Sequence, residues 1–189
     1  MSNVNAPRGF NPSDFLSGTE PNYGLTFGKM AYNASAVYKG DPLILSGGKV
    51  AVATVTGDAG AAVAGIAVSF SWVSIAQKRR VWESYYPGND SQGNADVEVW
   101  YQAHPNALFD VQVNGGPATQ ADVGSFFNFA SGAGNTYSGL SGFSLDYSTK
   151  NASQGTLPFV LYQILGQPGT DPTSEYNIVR VGFATQTKI

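Results

Sequence analysis

Two runs in the middle of the chain alternate apolar and polar residues with a period of two. They span residues 97–101 and 108–113. Because successive side chains of a strand point to opposite faces, this pattern predicts two half-buried strands. The residues on the apolar side are Val97, Val99, Tyr101, Phe109, Val111 and Val113, and those on the other side are Glu98, Trp100, Asp110 and Gln112. His104-Pro105-Asn106 lies between the runs and predicts the turn of a β-hairpin.

The rest of the chain predicts an all-β fold. Glycine and proline number 23 and 10 in 189 residues, and no run longer than about ten residues has the 3.6-residue period of a helix. Short strands are predicted about ten residues apart, which is typical of an antiparallel β-sandwich or barrel. The predicted strands lie within 37–46, 49–56, 61–70, 123–129, 143–147, 157–165 and 176–183, and residues 71–96 are predicted to be irregular. We expect one domain over residues 29–189.

Residues 1–28 are predicted to form an extended N-terminal arm. This segment contains three prolines and four spaced aromatic residues, namely Phe10, Phe15, Tyr23 and Phe27. A frayed terminus is one interpretation, since chain ends are often poorly ordered. The other is an arm that lies on a partner, because aromatic side chains stabilise a contact only where they are buried.

Charge and composition limit the classes of partner. The net charge is −3, charged residues make up 12% of the chain, and the ten basic residues are dispersed except for Lys78-Arg79-Arg80. Nucleic acid is therefore not expected as the main partner. With no cysteine there is no disulfide and no thiolate ligand. No run approaches the roughly 20 apolar residues that span a bilayer, so we expect a soluble protein made in a cytoplasm, without a membrane partner.

No motif in the sequence predicts a catalytic, metal or cofactor site. His104 is the only histidine, and its neighbours show no ligand spacing. Residues 89–96 contain oxygen ligands that suit calcium, but the glycine and the closing glutamate of a calcium loop are misplaced or missing, so a hairpin loop is favoured. A glycoside hydrolase would need two carboxylates at a set separation, and the candidates are Glu83, Asp96, Glu98 and Asp110. We expect no enzyme and no cofactor.

Several blocks, taken in order along the chain, resemble a family of tailed-bacteriophage virion proteins that coat the head, the capsid decoration or cement proteins. The blocks are residues 5–12, 40–43, 65–68, 109–113, 122–124, 138–142 and 161–166. The resemblance implies a compact β-domain, usually trimeric, which sits on the capsid exterior where subunits of the major capsid protein meet. Residues 71–96 have no counterpart in this resemblance.

These observations lead to one main hypothesis and two alternatives. In the main hypothesis a homotrimer cements the phage head, Arg8, Phe10, Phe15 and Tyr23 of the arm contact the major capsid protein, and Trp72, Trp82, Trp100 and Phe126 lie between subunits. Tryptophan and tyrosine could instead stack on sugars in a carbohydrate-binding module of a virion fibre. The third hypothesis is a glycosidase that uses two of the four carboxylates.

Overall fold

Alternating runs do form strands in the computed structural model, which describes residues 3–16, 24–54, 63–166 and 171–184. Fourteen strands and two short 3₁₀ turns, at 92–94 and 120–122, make up the secondary structure of these residues. The strands are β1 (Asn11–Phe15), β2 (Thr26–Met30), β3 (Val37–Tyr38), β4 (Pro42–Ser46), β5 (Lys49–Val52), β6 (Gly65–Val73), β7 (Arg80–Glu83), β8 (Tyr85–Tyr86), β9 (Val97–Gln102), β10 (Ala107–Asn114), β11 (Phe126–Ala130), β12 (Ser144–Asn151), β13 (Phe159–Leu165) and β14 (Ile178–Phe183). The prediction of an all-β fold is confirmed.

Ten of the strands close into two five-stranded rings. The first ring consists of β2, β5, β4, β6 and β9, and the second of β10, β12, β11, β13 and β14, with each last strand pairing with the first. β7 extends the first ring at β6, and β1 extends the second at β10. β3 and β8 form a separate two-stranded sheet. Closing a sheet on itself satisfies the strand edges, which is the barrel solution to the edge problem.

The two rings have the same connectivity. In each ring the first strand runs parallel to the third. Here the strands of a ring are numbered in chain order, β2, β4, β5, β6, β9 in one and β10, β11, β12, β13, β14 in the other. The other four pairs are antiparallel: third with second, second with fourth, fourth with fifth and fifth with first. The fourth strands have a register irregularity at the same place, at 67–69 in β6 and 161–163 in β13. Just after the irregularity, Ser69 of β6 pairs with Trp100 and Gln163 of β13 pairs with Arg180. The chain therefore contains two copies of one fold unit.

The glycine before the second strand shows the same equivalence. Gly40 donates its N–H to the carbonyl of Ala67 at 2.9 Å, and Gly124 donates to the carbonyl of Leu161 at 2.8 Å. Both glycines have a left-handed backbone, with φ of 93° and 89°. Because residues other than glycine rarely adopt this conformation, glycine is required here in both rings.

Each ring has its own hydrophobic core. The core of the first ring includes Met30, Val50, Phe70, Val97, Val99 and Tyr101. The core of the second includes Phe109, Val111, Val113, Phe127, Phe129, Phe159 and Val179. Ala53, Val63 and Ile66, which precede or begin β6 of the first ring, belong to the same cluster as the second core. The two rings are thus packed against each other through apolar side chains, and the predicted inward-facing sides of residues 97–101 and 108–113 are confirmed.

The central hairpin prediction is wrong. β9 pairs with β2 and β6 in the first ring, whereas β10 pairs with β1, β12 and β14 in the second. The segment between them, residues 103–106, therefore connects the two rings. A period of two predicts which side of a strand is buried, but it does not say which strand lies beside it.

The N-terminal segment is part of the domain over its described residues, contrary to the expectation of a separate arm at 1–28. β1 pairs antiparallel with β10, and β2 is the first strand of the first ring. Phe10 is fully buried and its ring stacks on Phe159 at 4.4 Å. Phe15 is also buried. The described residues before β2 therefore pack on this chain's own second ring through β1, Phe10 and Phe15.

Candidate functional site

The outward side of the first ring carries three aromatic side chains in contact, Phe27, Trp82 and Trp100. Phe27 of β2 lies opposite Trp100 of β9, and their ring centroids are 5.5 Å apart at 62°. Trp82 of β7 meets Trp100 from the other side at 4.7 Å and 31°. Phe27 is 50% exposed and Trp82 is 61% exposed. We call these three residues the aromatic surface.

Two serines on the strand between them allow the two indoles to meet. β6 lies between β9 and β7, with Ser69 opposite Trp100 and Ser71 opposite Trp82. Cross-strand neighbours lie within reach of aromatic side chains, and a small residue at each position leaves room above the strand. The sequence pattern on the polar side of β6 therefore positions the aromatic surface.

Charged side chains of both signs border the aromatic surface. Arg80 Nη1 donates to Glu98 Oε2 at 2.6 Å and to Ser71 Oγ at 3.2 Å. Lys29 is exposed and lies opposite Glu98 in the β2–β9 register. A partly exposed ion pair of this kind contributes only about 0–1 kcal/mol to stability. Its main effect is to hold charges of both signs at fixed positions around an apolar centre, as in protein–protein contacts.

The four residues predicted between subunits do not lie together. Trp82 and Trp100 belong to the aromatic surface. Trp72 is a core residue, 4% exposed, whose Nε1 donates to Asp90 Oδ2 at 2.8 Å and whose ring meets Tyr86 edge-on at 5.1 Å. Phe126 is half-buried in β11 of the second ring. Side-chain alternation explains the difference, because Trp72 and Ser71 are neighbours in β6 and point to opposite sides.

Phe27 is the member of the aromatic surface that the sequence does not predict to lie with the tryptophans. By position it belongs to the aromatic residues of the predicted N-terminal arm. The usable signal was its place in an alternating segment, Thr26–Met30, where it stands beside Lys29 on the polar side. A large aromatic residue on the polar side of a strand is also what singles out Trp100.

The residues predicted to contact the capsid are also dispersed. Phe10 and Phe15 are buried in this chain, and the Phe15 ring meets His104 edge-on at 4.8 Å. Arg8 is exposed. Tyr23 lies outside the described residues. Of these three described residues only Arg8 is exposed, and a side chain that fills its own core is not accessible to another protein.

The four carboxylates considered for glycosidase chemistry differ in their partners. Asp96 accepts from Lys49 Nζ at 2.6 Å, and Glu98 is paired with Arg80. Asp110 binds the Arg180 guanidinium through both oxygens, at 2.8 and 3.2 Å. Glu83 is exposed on β7. Three of the four are therefore held in ion pairs with basic side chains, and the arrangement gives the glycosidase hypothesis no support.

Among the described residues, no three His, Cys, Asp or Glu side chains come together as a metal site would require. Within the described ranges, no helix has the length and apolar character needed to cross a bilayer. His104 Nδ1 accepts the backbone N–H of Asn106 at 3.2 Å, which stabilises the turn between the rings.

One carboxylate inside the fold has a strongly perturbed environment. Asp41 follows Gly40, is 2% exposed, and accepts the N–H of Tyr38 at 2.8 Å. Burial raises the pKa of Asp41 to about 6, although hydrogen bonds from Ser141 and Tyr38 act in the opposite direction. The equivalent position in the second ring is Ser125, whose carbonyl accepts the N–H of Leu161 as that of Asp41 accepts the N–H of Ala67. An ionisable group is therefore not needed for this turn.

Comparisons with protein-family models, with curated proteins and with solved structures give no match for this chain.

Proposed function

We propose that this chain is a capsid decoration protein of a tailed bacteriophage, which binds the outer surface of the head as a homotrimer and stabilises the shell of the major capsid protein. Two observations support the proposal. One is the ordered set of sequence blocks that resembles this family. The other is the aromatic surface, which is the observation that carries the proposal.

The aromatic surface is suited to contact between subunits. Apolar area removed from water contributes roughly 25 cal/mol per Å², and tryptophan is enriched among the residues that dominate interface energies. Trp82, at 61% exposed, has most of its side chain in water in the single chain. A rotationally symmetric trimer buries the same patch three times, so one exposed cluster per chain stabilises the whole assembly. The mixed charges of Lys29, Arg80 and Glu98 then face complementary charges on the next subunit.

Cementing follows from binding that is selective for the assembled shell. A protein that binds the expanded shell but not loose capsid subunits stabilises the shell by mass action. Such a role requires rigid surfaces more than moving parts, and two closed rings packed through a shared cluster supply them. In this proposal Arg8 is the arm residue that contacts the capsid.

The test uses heads of the phage that encodes this chain, assembled without it. Purified protein is added, the heads are pelleted, and the bound protein is measured as a function of concentration. We expect saturable binding and a higher temperature of head disruption. Trp82→Ala should weaken binding, whereas Tyr137→Ala, which removes a fully exposed aromatic outside the aromatic surface, should not. Protein that stays in the supernatant at every concentration would contradict the proposal.

A further inference from the structure

A cavity of about 420 Å³ lies between the end of β6, the start of β8 and the loop that follows β8. It falls within residues 71–96, the stretch that the family resemblance leaves without a role. Its walls include Trp72, Gln77, Glu83, Tyr85, Asn89 and Asp90. Glu83 is the β7 residue that lines the cavity, and its neighbour Trp82 points to the opposite side of that strand. The cavity is therefore distinct from the aromatic surface.

Asp90 holds one wall of the cavity in place. Its Oδ2 accepts Trp72 Nε1 at 2.8 Å and its Oδ1 accepts the N–H of Ala76 at 3.1 Å. Burial alone would raise the pKa of Asp90, but hydrogen bonds from Ser74, Trp72 and the backbone outweigh it and lower the pKa. The carboxylate thus stays charged and joins β6, the 74–79 connection and the 87–91 loop. This wall is preorganised.

Tyr85 forms a second, aromatic wall that is supported from behind. Its ring lies parallel to that of Tyr38, with centroids 5.5 Å apart and 7° between the planes. Gly134 packs against Tyr38 so closely that a Cβ there would lie 2.2 Å from the ring. Gly139 packs closely on Ser84, with a Cβ position 2.0 Å from Ser84 Oγ, and makes an ordinary contact with the Tyr85 ring at 3.4 Å. The loop at 131–142 therefore holds the two stacked rings, and the remaining surface of Tyr85 lines the cavity.

The other polar groups at the cavity include both hydrogen-bond acceptors and donors. Glu83 is exposed and forms no ion pair within the described part of the chain. Gln77 Oε1 accepts from the Arg79 guanidinium at 3.0 and 3.2 Å, which leaves its NH₂ group as a donor. Asn89 carries a second side-chain amide on the same rim. A carboxylate, two amides and an aromatic ring thus surround one space.

We propose that this cavity binds a sugar residue of a glycan. A sugar presents hydroxyl groups that donate to a carboxylate and accept from amides, and a C–H face that packs on an aromatic ring. In the bound state the ring of the sugar packs on Tyr85, while its hydroxyls hydrogen-bond to Glu83 and to the amides of Gln77 and Asn89. Two carboxylates on the wall disfavour a phosphate ligand, and the Arg79 guanidinium at Gln77 disfavours a cationic one.

This inference is independent of the capsid-binding proposal, because the site and the aromatic surface are separate. It adds a recognition function to a protein whose other surfaces would contact the shell. The resulting molecule would present a glycan-binding cavity from the virion exterior. Failure of either proposal leaves the other to be judged on its own experiment.

The test applies labelled full-length protein to a glycan array and then titrates the strongest glycan into unlabelled protein by calorimetry. The variant is Glu83→Gln, at an exposed position where the fold is unaffected, and the charge-matched control is Glu175→Gln, also exposed. We expect saturable binding by the wild type and the control, and affinity weaker by about tenfold or more in Glu83→Gln, since a charge-assisted hydrogen bond is lost.

Two outcomes of the array and the Glu83→Gln titration would overturn the glycan site. One is the absence of any saturable glycan on the array. The other is binding that Glu83→Gln leaves unchanged, which would place the sugar elsewhere. Tyr85→Leu, checked for folding by circular dichroism, provides a second variant: it should weaken binding by removing the stacking ring, and unchanged affinity would also contradict the proposal.

Discussion

Trp100 and Arg180 occupy the same position in two rings of identical connectivity. Each pairs with the residue just after the register irregularity of the ring's fourth strand, β6 or β13. On its other side each pairs with an outward residue of the ring's first strand, β2 or β10. In the first ring that residue is Phe27, and in the second it is Asp110. One copy of the fold unit thus has an aromatic pair where the other has a bidentate ion pair. The aromatic surface is a specialisation of the first ring, not a requirement of the fold.

The self-association of the chain tests the aromatic surface directly. Light scattering should give about 60 kDa for a trimer of 19.9 kDa chains. Trp82→Ala should shift the mass toward that of a single chain, because each contact loses an indole that is 61% exposed in the isolated subunit. Tyr137→Ala should leave the trimer intact. A wild-type protein that is monomeric at all concentrations would remove the trimer from the proposal.

Phe10 should behave as a core residue. Phe10→Ala removes a fully buried ring that stacks on Phe159 at 4.4 Å, so we expect the free energy of unfolding to fall by about 3–5 kcal/mol. Arg8→Ala, two residues away and exposed, should change it by less than about 0.5 kcal/mol. Urea denaturation followed by fluorescence measures both. Equal, small effects would show that the segment before β1 detaches from the second ring in solution.

Replacing Gly40 or Gly124 by alanine should lower the stability of the fold, and by different amounts. Gly124→Ala introduces a Cβ that meets nothing within 4 Å, so its cost comes from the left-handed backbone alone, about 1–2 kcal/mol. Gly40→Ala should cost more, because its Cβ would also lie 3.1 Å from the Arg8 carbonyl oxygen and 3.2 Å from Phe10 N. Thermal unfolding of the two variants gives the order. A less stable Gly124→Ala would contradict this account of the turn.

Asp41 should make stability depend on pH. Its pKa rises from 3.8 in the unfolded chain to about 6 in the fold, so the folded state binds a proton that the unfolded state releases. The contribution of Asp41 to the free energy of unfolding is therefore most favourable below about pH 4, and it is lost as the pH rises to about 6. The full effect is about 3 kcal/mol.

The measurement is urea denaturation at pH 4, 5, 6 and 7 on wild type and Asp41→Asn. We expect the variant to lose the decrease between about pH 4 and 6, since an amide does not titrate. Glu175→Gln, at an exposed position, should retain it. A wild-type stability that rises steadily over this range, with the same slope in Asp41→Asn, would show that Asp41 is not protonated in the fold.

Local pattern was enough to predict most of the strands and the buried sides of β9 and β10, but β7 and β8 lie within residues 71–96, which are predicted to be irregular. Val97, Val99 and Tyr101 are buried, as are Phe109, Val111 and Val113, because a period of two separates the sides of a strand whatever its neighbours are. Gly47 and Gly48, which both adopt positive φ, form the turn between β4 and β5. The aromatic surface was not predicted from sequence. The interface role of Trp82 and Trp100 stays a prediction, and Trp72, which is grouped with them, lies in the core.

The sequence by itself determined the all-β class, the positions of most strands and, for β9 and β10, the side that faces inward. Only the tertiary structure decided which strands are neighbours. It placed β9 and β10 in separate rings, put β1 on the second ring, and brought Phe27, Trp82 and Trp100 together from three strands. The physical reason is that alternation depends on adjacent residues, whereas pairing depends on how distant apolar faces pack, and many pairings satisfy the same alternation.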